Sequence, residues 1–258
     1  VVKVKESVLI ELYNKDNLEL LNEICTNHVN LIYSDVLFAT GKKFRDFQDL
    51  KPDRKVIYNH YVPRIKEMHR VLTETGSIYL QMDYRISHWV RCILDDIFGY
   101  DNFRNFIVWS YNVGGIDKKH FSKKHDHILV YSKSENFVFN TEAIRIPYKS
   151  VVNLNTTKRQ LISPEKYKRG KIPTNVWADC NFSLHNKREY NTQKPLSLLR
   201  RIVKASSNEG DLVADFYMGS GTLGEVCIEL GRDFIGCDEG LKAYELAKRK
   251  LEGDINVK

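Results

Sequence analysis

Residues 215–224 read DFYMGSGTLG, a glycine-rich turn between an apolar strand-like run and a helix-like run. Gly219, Gly221 and Gly224 are spaced as GxGxxG, and Asp238 follows Gly219 by 19 residues, at the end of the next strand-like run. Such glycines let the backbone approach a nucleotide closely, and a carboxylate at that distance accepts both hydroxyls of a ribose. The pattern points to an adenosine-type cofactor. Asp215 stands directly before the loop, where it would repel a pyrophosphate but attract a cationic headgroup. S-adenosylmethionine carries an ammonium and a sulfonium, and it fits that charge. A dinucleotide site normally opens a longer double unit, whereas only 20 residues follow Asp238. An NAD-linked oxidoreductase is the alternative from another class.

The surrounding pattern predicts the elements that must carry this loop. Val29–Tyr33 reads as a buried strand, and residues 54–72 have helical spacing, with Ile57, Tyr61, Ile65, Met68 and Leu72 on one stripe. Gly76 is read as ending that element, with Ser77–Met82 as the next strand. A helix over 86–98 stops at Gly99, and Phe103–Ser110 and His127–Tyr131 are further strands. Residues 140–175 read as irregular and basic. Pro195 suits the first turn of a helix reaching Ser206. Then come strand Leu212–Asp215, helix 222–230, strand Phe234–Cys237 and helix 241–251. Strands and helices alternate at both ends around an insert, which implies a mostly parallel sheet covered by helices on both faces. The insert is expected to project from the carboxyl edge, where open α/β sheets bind ligands.

Charge adds an address. The chain of 258 residues has a net charge of +7. Residues 113–204 hold 19 Lys and Arg against 7 Asp and Glu, a local charge of +12, while the rest holds 21 against 26. A polyanionic partner for the middle segment follows. With 42% hydrophobic and 28% charged residues the chain is neither disordered nor membrane-spanning, because no apolar run approaches the ~20 residues a bilayer requires. The start, VVKVKESVLIELYN, lacks the apolar stretch of a signal peptide. The five cysteines (25, 92, 180, 227 and 237) are odd in number and form no CxxC pair, so neither a disulfide framework nor a zinc site is expected. They are read as buried thiols in a reducing cytoplasm. His120, His125 and His127 lie among four lysines without an acidic or cysteine partner, so a phosphate-facing strip is expected there and no metal.

Several motifs in one order carry a resemblance. The stretch TQKPLSLLRRIVKASSNEGDLVADFYMGSGTLGEVCIELGRDFIGCDE resembles the C-terminal part of the β-class DNA amino-methyltransferases, the adenine-N6 and cytosine-N4 enzymes of restriction–modification systems. GSIYLQMDYRISHWVRCILDDIFGYDNFRNFIVWSY is similar to the family's middle strands, KKHDHILVYSKS to the stretch after them, and NKDNLELL to its opening GD-x-LE-x-L element. The resemblance covers nearly the whole chain, with the catalytic motif first and the cofactor loop last. It implies a Rossmann-like class I methyltransferase fold with permuted motif order. Residues 1–112 and 191–258 would form the catalytic and cofactor-binding domain, and 113–190 the target-recognition region.

The resemblance also assigns roles. The family's catalytic tetrapeptide, DPPY or DPPF, falls on Asp35, Val36, Leu37 and Phe38. Asp35 and the Val36 carbonyl would accept the N–H groups of an exocyclic amine, and Phe38 would stack on a base flipped from duplex DNA. No strong base is needed before attack, because a sulfonium is a good leaving group. Both prolines are replaced here, and so is the proline of the family's D-P-F, which is Asp215-Phe216-Tyr217. The fixed φ of proline is lost from both loops. Cofactor contacts fall on Asp16, Asn17, Thr192, Lys194, Pro195, Asp215, Tyr217, Gly219, Ser220, Gly221, Thr222 and Asp238. Lys194 is placed to hold the cofactor carboxylate. DNA contacts fall on Lys118, Lys119, Lys123, Lys124, Arg159, Lys168, Arg169, Lys187 and Arg188. The implied function is a site-specific adenine-N6 methyltransferase acting on double-stranded DNA in a bacterial or archaeal cytoplasm. Homodimerisation and a cognate restriction endonuclease are expectations from the family. The alternatives are cytosine-N4 chemistry and a catalytically silent DNA-binding partner subunit.

Overall fold

The computed structural model describes residues 8–43, 48–111, 117–148, 152–153, 160–180 and 193–255. In chain order the elements are β1 (Ile10–Tyr13), α1 (Asn17–Glu23), β2 (Val29–Asp35), α2 (Arg54–Val71), β3 (Leu72–Met82) and α3 (Tyr84–Phe98). There follow β4 (Phe103–Ser110), β5 (His125–Ser132), the two-residue strands β6 (Val152–Asn153) and β7 (Gln160–Leu161), α4 (Pro164–Arg169) and β8 (Val176–Trp177). The chain ends with α5 (Leu196–Ser206), β9 (Leu212–Asp215), α6 (Thr222–Leu230), β10 (Asp233–Cys237) and α7 (Leu241–Ile255).

Among the described residues, eight strands form one sheet in the order β1-β10-β9-β2-β3-β5-β4-β8. All neighbours are parallel except β3 with β5 and β5 with β4. Alternation along the strands sorts two apolar layers. Ile32, Ile78, Leu80 and Ala214 face one side and pack with α1, α2 and α3. Leu31, Tyr33, Tyr79 and Val213 face the other and pack with α5, α6 and α7. The expected two-faced, mostly parallel architecture is present. From β2 the order runs through β3 in one direction, and from its neighbour β9 through β10 in the other. The carboxyl ends of β2 and β9 therefore flank the switch point where an open α/β sheet receives its ligand.

Several expectations are corrected. Gly76 does not separate helix from strand: α2 ends at Val71 and β3 already starts at Leu72. Gly76 lies inside β3, where a Cβ would come within 2.9 Å of the Asn30 carbonyl beside a register shift in β2. β1 and α1, absent from the sequence reading, complete the sheet edge and its cover. Cys180, Cys227 and Cys237 are buried, but Cys25 and Cys92 are exposed, on surface positions that periodicity alone did not resolve. The 113–190 stretch is not wholly an insert, because β5 is an interior strand of the sheet and β8 pairs with β4. Among the described residues no helix is long and apolar enough to cross a membrane.

Candidate active site

Asp35 ends β2 at the switch point. Lys194, just before the Pro195 N-cap of α5, forms an ion pair with its Oδ2. Oδ1 is buried and has no hydrogen-bond partner among the described residues. Burial pushes the Asp35 carboxyl up to about 6; Lys194 pulls it down, and the neighbouring Asp126 adds to the rise. An ion-paired carboxylate with one enclosed, unpartnered oxygen is an acceptor awaiting a donor. Phe38 lies close by, its ring centroid 5.4 Å from the Lys194 ammonium.

The loop after Asp35 holds its shape without prolines. The Val36 amide donates to the Gln81 carbonyl (3.0 Å), and the Val36 side chain is buried in the core. The Leu37 carbonyl accepts from the Tyr61 hydroxyl on α2 (2.8 Å). Ala39 takes a left-handed conformation (φ 52°) that alanine rarely adopts. Asp49, 3% exposed, holds it there: its carboxylate accepts from the amides of Ala39 (3.0 Å), Thr40 (2.7 Å) and Leu50 (2.8 Å) and from the Thr40 hydroxyl (2.6 Å).

Asp215 ends β9, next to β2. Burial pushes its carboxyl up to about 7, with Asp35 and Asp238 contributing, although the Tyr217 amide and the Ser34 hydroxyl favour its charge. The glycine loop then turns. Gly219 has φ 54°, and a Cβ there would meet nothing within 4 Å. Gly221 differs from the expectation that it admits a cofactor: a Cβ there would lie 2.8 Å from the Ala247 Cβ on α7. Gly224 likewise faces Leu251 at 2.6 Å. Of the three glycines, Gly219 alone borders open space, while the other two allow α6 to pack against α7. Asp238 closes the loop, accepting from the amides of Gly219 (2.9 Å) and Gly240 (2.8 Å). Ser220 and Thr222 are buried at the start of α6, with their hydroxyl oxygens 3.2 Å apart.

Asp16 and Asn17 also reach this loop. Asp16 caps α1 through the Leu18 amide (2.7 Å) and pairs with Arg64. The Asn17 amide donates to the Phe216 carbonyl (2.9 Å), and its oxygen accepts from Arg64 Nε (2.6 Å). Tyr217 Oη lies 3.0 Å from His60 Nε2, and burial, aided by Arg64, pushes that imidazole down to about 4. Arg64 and His60 were missed in the sequence, where they sit on the polar face of an ordinary helix and carry no motif.

The basic candidates separate. Lys118, Lys119, Lys123 and Lys124 precede β5, whose first residues pair with the ends of β4 and β3. Lys123 and Lys124 lie at the carboxyl edge that Asp35 also ends: Lys123 is 4.7 Å from the Tyr84 ring, and the Lys124 carbonyl accepts from the Tyr111 amide (3.0 Å). Lys168 and Arg169 are not brought there. Arg169 pairs with Glu142 (2.6 Å), just after Asn140, whose amide donates to the carbonyl of Ala205 (2.7 Å) at the far end of α5 from Lys194. Thr192, Arg159, Lys187 and Arg188 lie outside the described residues. His127 Nδ1 lies 2.8 Å from Ser87 Oγ. Among the described residues no group of three or more His, Cys, Asp or Glu side chains is placed to hold a metal ion.

Comparison with known proteins gives the family and the fold. Residues 29–249 match the family described as DNA methylase, the N6 and N4 methyltransferases. The chain is 32% identical to the type II methyltransferase M.HpaI of Haemophilus parainfluenzae, over 93% of this chain and 73% of that one. It is also 32% identical to the DNA adenine methyltransferase YhdJ of Escherichia coli K12, over 92% and 81%. Two solved structures share the fold. The PvuII DNA methyltransferase (cytosine-N4-specific) has a TM-score of 0.68 at 16% identity, covering 98% of this chain and 93% of that one. The M1.HpyAVI–SAM complex has a TM-score of 0.58 at 20% identity, covering 94% and 100%.

Proposed function

The chain belongs to the DNA methylase family, and from that premise we propose that it transfers a methyl group from S-adenosylmethionine to the N6 amine of adenine in duplex DNA. The observation that carries the reading is Asp35 at the switch point, with Oδ2 held by Lys194 and Oδ1 buried and unpartnered among the described residues. An exocyclic amine brings the missing donor. With one N–H held by Asp35 and the other by the Val36 carbonyl, the lone pair turns out of the ring plane. The nitrogen would then bond to the methyl carbon as the carbon–sulfur bond breaks, sulfur leaving with the electron pair as a neutral thioether, and the amine would give up one proton to Asp35 or to water. Phe38 is the surface on which the extruded base stacks.

The residues present fit the cofactor. Gly219 borders open space, and Asp215 is a carboxylate that burial pushes up to about 7. A cation in that space would restore its charge. Asp215, Tyr217, Gly219 and Asp238 would hold S-adenosylmethionine, with Asp16 and Asn17 supporting the loop from α1. When bound, it supplies a methyl group on a sulfonium, an electrophile with a good leaving group. Lys118, Lys119, Lys123 and Lys124 meet the DNA backbone. Target recognition falls to the 113–190 stretch outside β5 and β8. Adenine is favoured by an aspartate, rather than a serine, at the first position of the catalytic motif and by the adenine-specific name of the YhdJ relative.

The test is transfer of labelled methyl from S-adenosylmethionine to duplex DNA, followed by nucleoside analysis. N6-methyladenine is expected, and N4-methylcytosine would overturn the base assignment. Asp35→Ala should abolish transfer while leaving cofactor binding intact; a variant that methylates normally would falsify the catalytic assignment.

A further inference from the structure

Lys194 was expected to serve the cofactor, yet its ammonium lies on Asp35. A second buried carboxylate stands behind the pair. Asp126 on β5 is 4% exposed. Its Oδ2 accepts from Gln81 Nε2 (2.8 Å) and its Oδ1 from the Tyr111 hydroxyl (3.0 Å). Gln81 is the residue opposite Asp35 in the β2–β3 register, and its Oε1 accepts from the Tyr33 hydroxyl (2.8 Å). A chain of hydrogen bonds thus runs from β2 through β3 and β5 to Tyr111, all beside Asp35. Both Asp126 oxygens already accept from neutral donors, so Asp126 acts on the pair as a fixed negative charge.

We propose that Lys194 is a positioning residue of the reaction: clamped on Oδ2, it keeps Asp35 an anion with Oδ1 turned to the substrate amine, against the opposing negative charge of the buried Asp126. This rests on the methyltransferase reading above and deepens it. Among the described residues, the charged and titratable groups facing Asp35 are Tyr33 on its own strand, Tyr61 on α2, Tyr111 after β4, Asp126 on β5, Lys194 before α5 and Asp215 on β9; Tyr111 and Asp83 also act on Asp126. Burial raises both Asp35 and Asp126, and the Lys194 charge opposes that rise at each. Asp126 and Lys194 therefore pull Asp35 in opposite directions, and their removal has opposite signatures.

The experiment is the pH dependence of kcat/KM for DNA methylation by the full chain, with S-adenosylmethionine affinity measured for every variant. The wild-type acid limb is expected near pH 6, where Asp35 ionises. Lys194→Gln should move that limb to higher pH, lowering the rate at neutral pH by roughly tenfold or more and recovering it in alkali. Lys194→Arg should restore the wild-type profile. Asp126→Asn should move the limb to lower pH. The proposal is overturned if Lys194→Gln lowers the rate equally at every pH, or if it weakens cofactor binding and leaves the limb in place. It is equally overturned if Asp126→Asn leaves the limb unmoved, which decides the matter should Lys194→Gln fail to fold. An inactive Asp35→Ala with unmoved limbs defeats this inference alone, whereas an active Asp35→Ala defeats the functional reading beneath it.

Discussion

The loops after β2 and β9 begin at neighbouring parallel strands, each at an aspartate, and each lacks a proline that the family carries there. They are held differently. The β9 loop is closed by groups from the flanking strands and α1: Ser34 on the Phe216 amide, Asp238 on the Gly219 amide and Asn17 on the Phe216 carbonyl. Its own glycines supply the rest through positive φ. The β2 loop contains one glycine, Gly41, at its far end. It depends instead on Asp49, Tyr61 and the Gln81 carbonyl, which accept from or donate to nearly every polar group between Val36 and Thr40 that has a named partner. A loop can thus lose the stiffness of proline and still be preorganised, if side chains from elsewhere hold its backbone.

That contrast is breakable in graded steps. The largest effect is expected for Asp49→Ala, which strands three amides and a hydroxyl and releases the strained Ala39. Destabilisation of about 3 kcal/mol and a fall in kcat on the order of a hundredfold are expected. Denaturant unfolding and single-turnover kinetics would measure them. Cofactor affinity should stay within about twofold, since the β9 loop has its own supports; a parallel loss of affinity would show that the two loops are one unit.

Within the β9 loop, two adjacent substitutions should separate packing from binding. Gly221→Ala meets Ala247 at 2.8 Å and carries a positive φ, so about 2 kcal/mol of stability should be lost. Gly219→Ala meets nothing within 4 Å, so only about 1 kcal/mol should be lost from its backbone strain. The methyl group would enter the cofactor space, however, and weaken S-adenosylmethionine binding on the order of tenfold or more, as calorimetry would read. Equal cofactor affinity in the two variants would remove Gly219 from the cofactor site.

The smallest effect expected is a pH dependence. Asp215, raised to about 7, binds its proton more tightly in the folded chain than in the unfolded one. Its contribution to stability is therefore full below about pH 4 and is lost as pH rises toward 7. A bound cation offsets that loss. The rise in Tm caused by S-adenosylmethionine should be larger near pH 8 than near pH 5.5 at one free concentration, by about a degree or two. A rise independent of pH would mean that Asp215 does not face the cationic headgroup.

Legibility followed the same division. The glycine loop, Asp215 and Asp238 were visible because their chemistry is written in one contiguous stretch of strand, turn, helix and strand. The apolar stripe of α2 and the stop at Gly99 were visible for the same local reason. Asp35 became visible through the joint order of several motifs. Asp49, Arg64, Asp126 and the part played by the Tyr61 hydroxyl were not, because each acts through contacts that the fold makes between segments up to 91 positions apart. Asp126 did leave a trace: in HDHILVYS it is a carboxylate on the same face as Ile128 and Val130, which are buried, and a charge on a buried face needs partners. Gln81 in SIYLQM left the same trace.

Alternating hydrophobicity, turn residues and the glycine spacing determine by themselves an α/β sheet with an adenosine-type loop, because strand, helix and turn preferences act over a few residues. Tertiary structure alone decided that Lys194 meets Asp35, that Gly221 serves helix packing while Gly219 borders the open space, and that Lys123 and Lys124 share an edge with the site while Arg169 turns to Glu142. Those pairings depend on which strand ends lie side by side, and strand order arises from long-range packing that no local pattern encodes.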